Sequence, residues 1–292
     1  MALWLVAQAC DRPSPEEDIG LLKSRQAHLR EQAAGRLVRY GEKIVPRLIE
    51  ETDSGYTTVR FEVARLLGRI RDPRATEALI VLLEDKSANV WQMAAWALGE
   101  IRAPEAVPRL LENTGSVSKG IRAEAIRSLG LCYTDSAWRC IRDSVYHQII
   151  EALADPVPKV RIAALQSARH FAYQDAGPHL IGMMADPSAE VRYVAVQALG
   201  QLAAGEAPGS PGPLEGPLRD EVVTALVAEI DEPVQSIRTK AVRALEKMRA
   251  VAAVDRLERL RREGTPEDVR EASRVLEKLA IETGGQPGPS GA

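Results

Sequence analysis

Apolar residues recur along this chain at the i, i+4, i+8 spacing of amphipathic helices, in blocks that repeat about every thirty residues. Each block opens on an aliphatic anchor, in most cases followed by arginine. The anchors are Leu29-Arg30, Val59-Arg60, Val90-Trp91, Ile121-Arg122, Val160-Arg161, Val191-Arg192, Ile237-Arg238 and Val269-Arg270, with spacings of 30, 31, 31, 39, 31, 46 and 32 residues. Four residues on stands a small or modest side chain: Ala33, Val63, Ala94, Ala125, Ala164, Ala195, Ala241 and Ser273. Eight on it is mostly leucine, as at Leu37, Leu67, Leu98, Leu129, Leu199 and Leu245. Offsets 0, 4, 8 and 11 share one face of a helix, so each anchor predicts a helix with one buried stripe. Gly68, Gly99, Gly130 and Gly200 follow at offset 9, which allows either a tight turn or a close backbone approach.

A shorter apolar run precedes each anchor helix, as in residues 75–83, 106–111, 147–154, 179–185 and 222–230. Asp155-Pro156, Asp186-Pro187-Ser188 and Glu232-Pro233 supply helix-start chemistry between the two. The repeating unit is therefore a helical hairpin. One hairpin cannot bury its own stripe, whereas eight stacked hairpins share a continuous core. The array spans residues 15–281 and carries two interruptions. One, near 131–144, holds Cys132, Tyr133, Trp138 and Cys140 and reads as added helical turns. The other, near 203–218, includes the Gly- and Pro-rich run 205–217 and reads as a mobile surface loop. Residues 282–292 read as a disordered tail and 1–14 as an apolar segment with a polar tether.

The run PSAEVRYVAVQALGQL from Pro187 to Leu202, and nearly as well the run from Asp85 to Ile101, resembles HEAT repeats of the short bacterial type also seen in phycobilisome lyase subunits. The resemblance implies an all-α, right-handed α-α superhelix, a HEAT/armadillo-like solenoid of about eight hairpins. It also implies a ladder of acids and arginines along the stack. Its candidates are Asp53, Asp155, Asp186 and Asp231, facing Arg60, Arg161, Arg192 and Arg238, and its expected role is to tie inter-helix turns together. In the third repeat Trp91 replaces the arginine. The fold hosts many roles and does not specify one.

Charge and cysteine content narrow the roles. Net charge is −3, which argues against bulk electrostatic binding to nucleic acid and leaves only a local arginine-lined groove for that alternative. Cys10, Cys132 and Cys140 are too few for a disulfide scaffold and contain no CxxC pair. Two readings of Cys132 and Cys140 stand open, a bridge in an oxidising compartment or two buried thiols. Met1 to Ala9 (MALWLVAQA) followed by Cys10 resembles the end of a bacterial lipoprotein signal, with Cys10 the lipidation candidate and the only implied membrane link. The competing reading is a cytoplasmic protein whose apolar end docks on the first repeat.

Catalytic patterns are missing from the sequence. His28, His147, His170 and His179 are scattered, and HExxH, GxSxG and GxxxxGK[ST] do not occur. Deoxyhypusine hydroxylase, an enzyme of the HEAT family, binds two irons through His-Glu pairs; no His-Glu dipeptide occurs here. The expectation is a non-enzymatic scaffold or adaptor with no cofactor and no metal, which binds a protein or peptide on its concave face. Bilin-lyase-like chromophore handling is a further alternative, carried by the repeat type alone. Offsets 2 and 6 from each anchor point away from the apolar stripe. They supply the candidate contact residues Phe61, Arg65, Gln92, Trp96, Arg127, Ile162, Gln166, Tyr193, Gln197 and Arg243. Aromatics and arginine in such a line are the residue types of binding hot spots.

Overall fold

A computed structural model describes residues 13–132, 142–171, 173–206 and 212–282. Among them are sixteen α-helices and no strand. The helices fall in sequence as eight pairs: α1 (Pro15–Leu21) with α2 (Ala27–Arg39), α3 (Val45–Glu50) with α4 (Thr57–Ile70), α5 (Thr76–Leu82) with α6 (Ala88–Ile101), α7 (Val107–Leu111) with α8 (Lys119–Cys132), α9 (Arg142–Ala152) with α10 (Pro158–Ala168), α11 (Tyr173–Gly182) with α12 (Ala189–Ala203), α13 (Gly216–Ala228) with α14 (Gln235–Lys247), and α15 (Val254–Glu263) with α16 (Pro266–Glu282). The chain forms two compact units, Met1–Arg142 and Asp143–Ala292. In the first, α6 packs between α4 and α8; in the second, α12 packs between α10 and α14, and α14 against α16. Within each unit the second helices of the pairs thus build one layer and the first helices the other, as in an α-solenoid.

The anchor pattern is the core. Offset 4 is fully buried from Ala33 through Ala241, and Leu37, Leu67, Leu98, Leu129, Leu199 and Leu245 at offset 8 are fully buried too. The first helices close over this stripe with Val45 and Leu48, Leu79 and Leu82, Val107 and Leu110, and, in the second unit, Val222 and Leu226. Burying each such side chain contributes about 2 kcal/mol. The offset-9 glycines lie inside their helices, which decides for close approach over a tight turn. A Cβ at Gly68 would stand 2.6 Å from Cζ3 of Trp96 and 2.8 Å from the Ala97 Cα, and one at Gly200 2.7 Å from the Ala244 Cβ. In the first pair, Arg36 Nε and Nη2 donate to the fully buried Asp18 carboxylate at 2.9 and 2.6 Å. That bond locks α1 onto α2.

The turns between paired helices are built alike in both units. Five residues before the anchor, a serine or acid side chain accepts from the backbone N–H two residues on: Ser24 from Gln26 (3.1 Å), Asp85 from Ser87, Asp155 from Val157 and Asp186 from Ser188 (each 2.8 Å). The anchor arginine then donates through Nη1 to that same residue's carbonyl, at 2.8 Å from Arg30, 2.7 from Arg60, 2.8 from Arg122 and Arg161, 2.9 from Arg192 and 2.8 from Arg238. The rest of the guanidinium reaches the acid of the following repeat: Arg60 to Asp85 (2.6 Å), Arg161 to Asp186 (2.7 Å), Arg192 to Glu232 (2.6 Å) and Arg238 to Asp268 (2.7 Å). Each of these four arginines therefore ties its own turn to the next repeat.

The ladder so observed corrects the sequence expectation in two ways. Asp53 and Asp231 stand one residue too early; Ser54 and Glu232 occupy the ladder position, and Asp231 pairs instead with Arg256 of α15. The arginine within a repeat meets its own acid only at the backbone carbonyl, because the Asx-type turn points the carboxylate toward the amides and the preceding repeat. The first helices also extend beyond their apolar runs. α9, α11 and α13 begin five or six residues upstream of 147, 179 and 222, since a polar first turn leaves no trace in a hydrophobic pattern. The described flanks of the 203–218 interruption are ordered against α12: Glu206 N–H donates to Gln201 O and Leu214 N–H to Ala203 O, both at 2.9 Å. Cys132 is buried with its Sγ 3.5 Å from Leu98 O, and burial pushes its thiol up to about 12. Cys10 and Cys140 lie outside the described residues, as do Tyr133 and Trp138.

The ladder carboxyls carry a pH signature. The Arg60 hydrogen bond holds Asp85 below the usual carboxylate range against its burial. For Asp186 and Asp268 burial pushes the other way, and the arginine and backbone N–H bonds together outweigh it, so both are also held low. A depressed native value stabilises the fold above the unfolded-chain value of about 4, and that contribution is lost as pH falls through the native value. The helical signal in a fixed moderate urea concentration should therefore be flat from neutral pH to about 5 and collapse below about 4. A pH-independent urea midpoint across that window would contradict the ladder's role.

Candidate functional site

The second-helix layer of the first unit holds an open groove of about 580 Å³. Its lining comes only from α4, α6 and α8: Phe61, Arg65 and Arg69, then Asn89, Gln92, Met93 and Trp96, then Glu124 and Arg127. Five of the ten residues expected from offsets 2 and 6 meet here, namely Phe61, Arg65, Gln92, Trp96 and Arg127. All five are half-buried. Arg69, Asn89, Met93 and Glu124 were missed. They stand at offsets 10, −1, 3 and 3, which fall with 2 and 6 inside a strip about 100° wide on a helical wheel. Counting the whole strip would have found them.

Packing sets the floor of the groove and charge its banks. Trp96 leans on Gly68 of α4, and the Gln92 amide lies against Gly120 of α8. On one bank Arg65 donates to Glu62 at 2.8 Å and to Glu31 at 2.9 Å. Burial lowers the pKa of Arg65, but these two carboxylates outweigh it and raise it, so the cation is fixed. On the other bank Arg127 Nη2 donates to Glu124 at 2.6 Å. Arg69 is exposed on α4, and among the described residues no carboxylate lies within ion-pair distance of it.

The second unit brings together two more of the expected residues. Tyr193 and Arg243 line a smaller, polar hollow of about 290 Å³ with Gln235, Ser236, Thr239, Lys240 and Glu267. The Lys240 ammonium sits 4.9 Å from the Tyr193 ring centroid, and Arg243 pairs with Glu271 at 2.6 Å. Ile162, Gln166 and Gln197 line neither hollow; Gln166 is exposed and the other two are half-buried. Among the described residues no three His, Cys, Asp or Glu side chains are grouped to hold a metal ion. No described helix is long and apolar enough to cross a membrane.

Comparison with known proteins places this geometry in a wider set. No curated protein matches the sequence. Among solved structures, YibA of E. coli superposes with a TM-score of 0.60 at 18% identity, over 94% of this chain and 96% of its own. The complex of CpcE and CpcF of phycocyanin lyase from Nostoc sp. gives 0.51 at 19% identity, over 92% and 95%. An engineered protein gives 0.53 at 20% identity, over 92% and 79%. These likenesses are of fold. The description of HEAT repeats matches residues 45–130 and 146–221, more than half of the chain. With its eight helix pairs and its turn-to-turn ladder, this chain belongs to the family of HEAT repeat proteins.

Proposed function

We propose that the protein is a non-enzymatic scaffold that binds a protein partner in the groove formed by α4, α6 and α8. One observation carries this reading: Phe61, Met93 and Trp96 are gathered, half-exposed, in one open groove between arginines and amides. A face that only solvates a helix layer holds Lys and Glu, whereas a contact surface combines large apolar anchors with Arg and polar amides. HEAT-type solenoids commonly serve as interaction scaffolds. The groove's one acid, Glu124, is engaged by Arg127, an arrangement suited to contact rather than to proton transfer.

Phe61 is the residue to remove, because Trp96 also packs on Gly68 and its loss would disturb the helix layer. Phe61→Ala is expected to weaken the complex with the physiological partner by about 2 kcal/mol, roughly thirtyfold in Kd, with the melting temperature little changed. Isothermal titration with the purified partner gives the first value and thermal circular dichroism the second. Unchanged affinity in a folded Phe61→Ala variant would place the contact elsewhere, and Tyr193→Ala would then test the hollow of the second unit.

A further inference from the structure

We propose that the segment held in this groove is acidic and carries a large apolar side chain, so that the partner's recognition motif is a carboxylate beside an aromatic or long aliphatic residue. The inference rests on the reading of the groove as a protein-binding site and adds the chemistry of the occupant. Four observations lead to it.

The lining contains three arginines and one glutamate, inside a chain whose net charge is −3. Glu31 and Glu62 on Arg65 and Glu124 on Arg127 balance two of these cations, so the groove carries no excess of charge and Arg69 is the arginine of the lining that forms no ion pair among the described residues. Arg65 and Arg127 are held in place by carboxylates, Arg65 through Nε and Nη2 and Arg127 through Nη2. A guanidinium has five N–H donors in a rigid fork, so each keeps donors beyond those bonds. Arg69, one helical turn beyond Arg65 on α4, is exposed and feels the Glu31 carboxylate that Arg65 binds, but among the described residues no carboxylate lies within ion-pair distance of it. Between these banks, the side chains of Phe61, Met93 and Trp96 can enclose an apolar group, and a methionine adapts to varied shapes.

The same arrangement disfavours a nucleic acid. Glu31, Glu62 and Glu124 are interleaved with the arginines. A continuous phosphate backbone would meet these carboxylates as well as the cations, whereas a peptide can present single carboxylates where the arginines stand. A basic or neutral peptide would leave Arg69 without a partner in the complex.

The test is selection of a displayed library of random short peptides on the full chain, followed by fluorescence anisotropy of the selected peptides. The expected motif places Asp or Glu beside Phe, Leu or Trp. Arg69→Glu should weaken the selected peptides about tenfold, replacement of their acids by Lys should do the same, and Phe61→Ala should weaken them independently of charge. A selected motif that is neutral or basic, yet still lost in Phe61→Ala, would overturn the acidic occupant and leave the groove as a binding site. Peptides that bind the Phe61→Ala, Arg69→Glu double variant as well as the wild type, or a selection that yields none, would overturn both. An oligothymidine that displaces the peptides and depends on Arg69 would overturn both in favour of a nucleic-acid ligand.

Discussion

Replacing Arg161 with methionine is expected to lower the free energy of unfolding by about 3 kcal/mol, near the low end for stripping the partner from a buried ion. Arg161 is 8% exposed, donates to both oxygens of Asp186 and also holds the Asp155 carbonyl at 2.8 Å. Methionine fills the space but leaves Asp186, itself 8% exposed, without its main counter-charge. The loss stops short of the upper range because the Ser188 N–H still donates to Asp186 at 2.8 Å. The double variant Arg161→Met, Asp186→Asn should recover most of the loss, since the amide has no charge to compensate. Urea unfolding of the two variants measures the difference; a double variant no more stable than the single one would show that Arg161 acts through packing alone.

Gly68→Ala should destabilise the protein by about 2 kcal/mol, although the same change in an open helix position stabilises it by up to about 1 kcal/mol. The added Cβ meets the Ala97 Cα at 2.8 Å, and a backbone atom cannot step aside as a side-chain tip can. Helices α4 and α6 must separate, and the Trp96 ring that closes the groove floor must shift with them. Gly35 in α2 is the control, because nothing lies within 4 Å of its Cβ position. Gly35→Ala should raise the urea midpoint while Gly68→Ala lowers it. Two shifts of the same sign would mean that the helix spacing does not depend on the glycine.

The sequence made these two effects visible to different degrees. The anchor, its small residue at offset 4 and its leucine at offset 8 mark each second helix, because a buried stripe is a local pattern of one helix. The glycine at offset 9 was conspicuous, but whether it turned the chain or admitted a neighbour depended on the helix packed against it, which no spacing within one repeat reveals. The ladder shows the same limit. Arg161 and Asp186 were both singled out, yet their bond joins residues 25 apart and crosses from one repeat to the next. Of the adjacent acids Asp231 and Glu232, only Glu232 stands five residues before its anchor as Asp155 and Asp186 do, so the spacing does separate the ladder acid from its neighbour. The start of α13 was hidden for another reason. Gly216 and Pro217 read as loop, whereas proline suits the first turn of a helix, where its missing N–H has no partner to lose.

The groove was half legible. Offsets 2 and 6 identified Phe61, Arg65, Gln92, Trp96 and Arg127, because those positions face away from the apolar stripe on any helix of this register. The same rule named Ile162, Gln166 and Gln197, which line neither of these two hollows. A position on the exposed face becomes part of a site only where adjacent helices supply matching side chains. In the first unit large apolar groups on α4 and α6 meet arginines on α4 and α8. In the second, Lys240 covers the Tyr193 ring and Arg243 is drawn to Glu271, so the same offsets give a polar surface.

The most direct test of the account places a photo-crosslinking side chain at Phe61, in the groove, or at Val81, which is 69% exposed on the first-helix layer in α5. Illumination of the complex with the physiological partner should yield a crosslink from position 61 and none from position 81, and the selected acidic peptides should compete the first away. Crosslinks from position 81 alone would contradict the assignment of the groove as the partner-binding site, and a crosslink from position 61 undiminished by the competing peptides would contradict the acidic occupant.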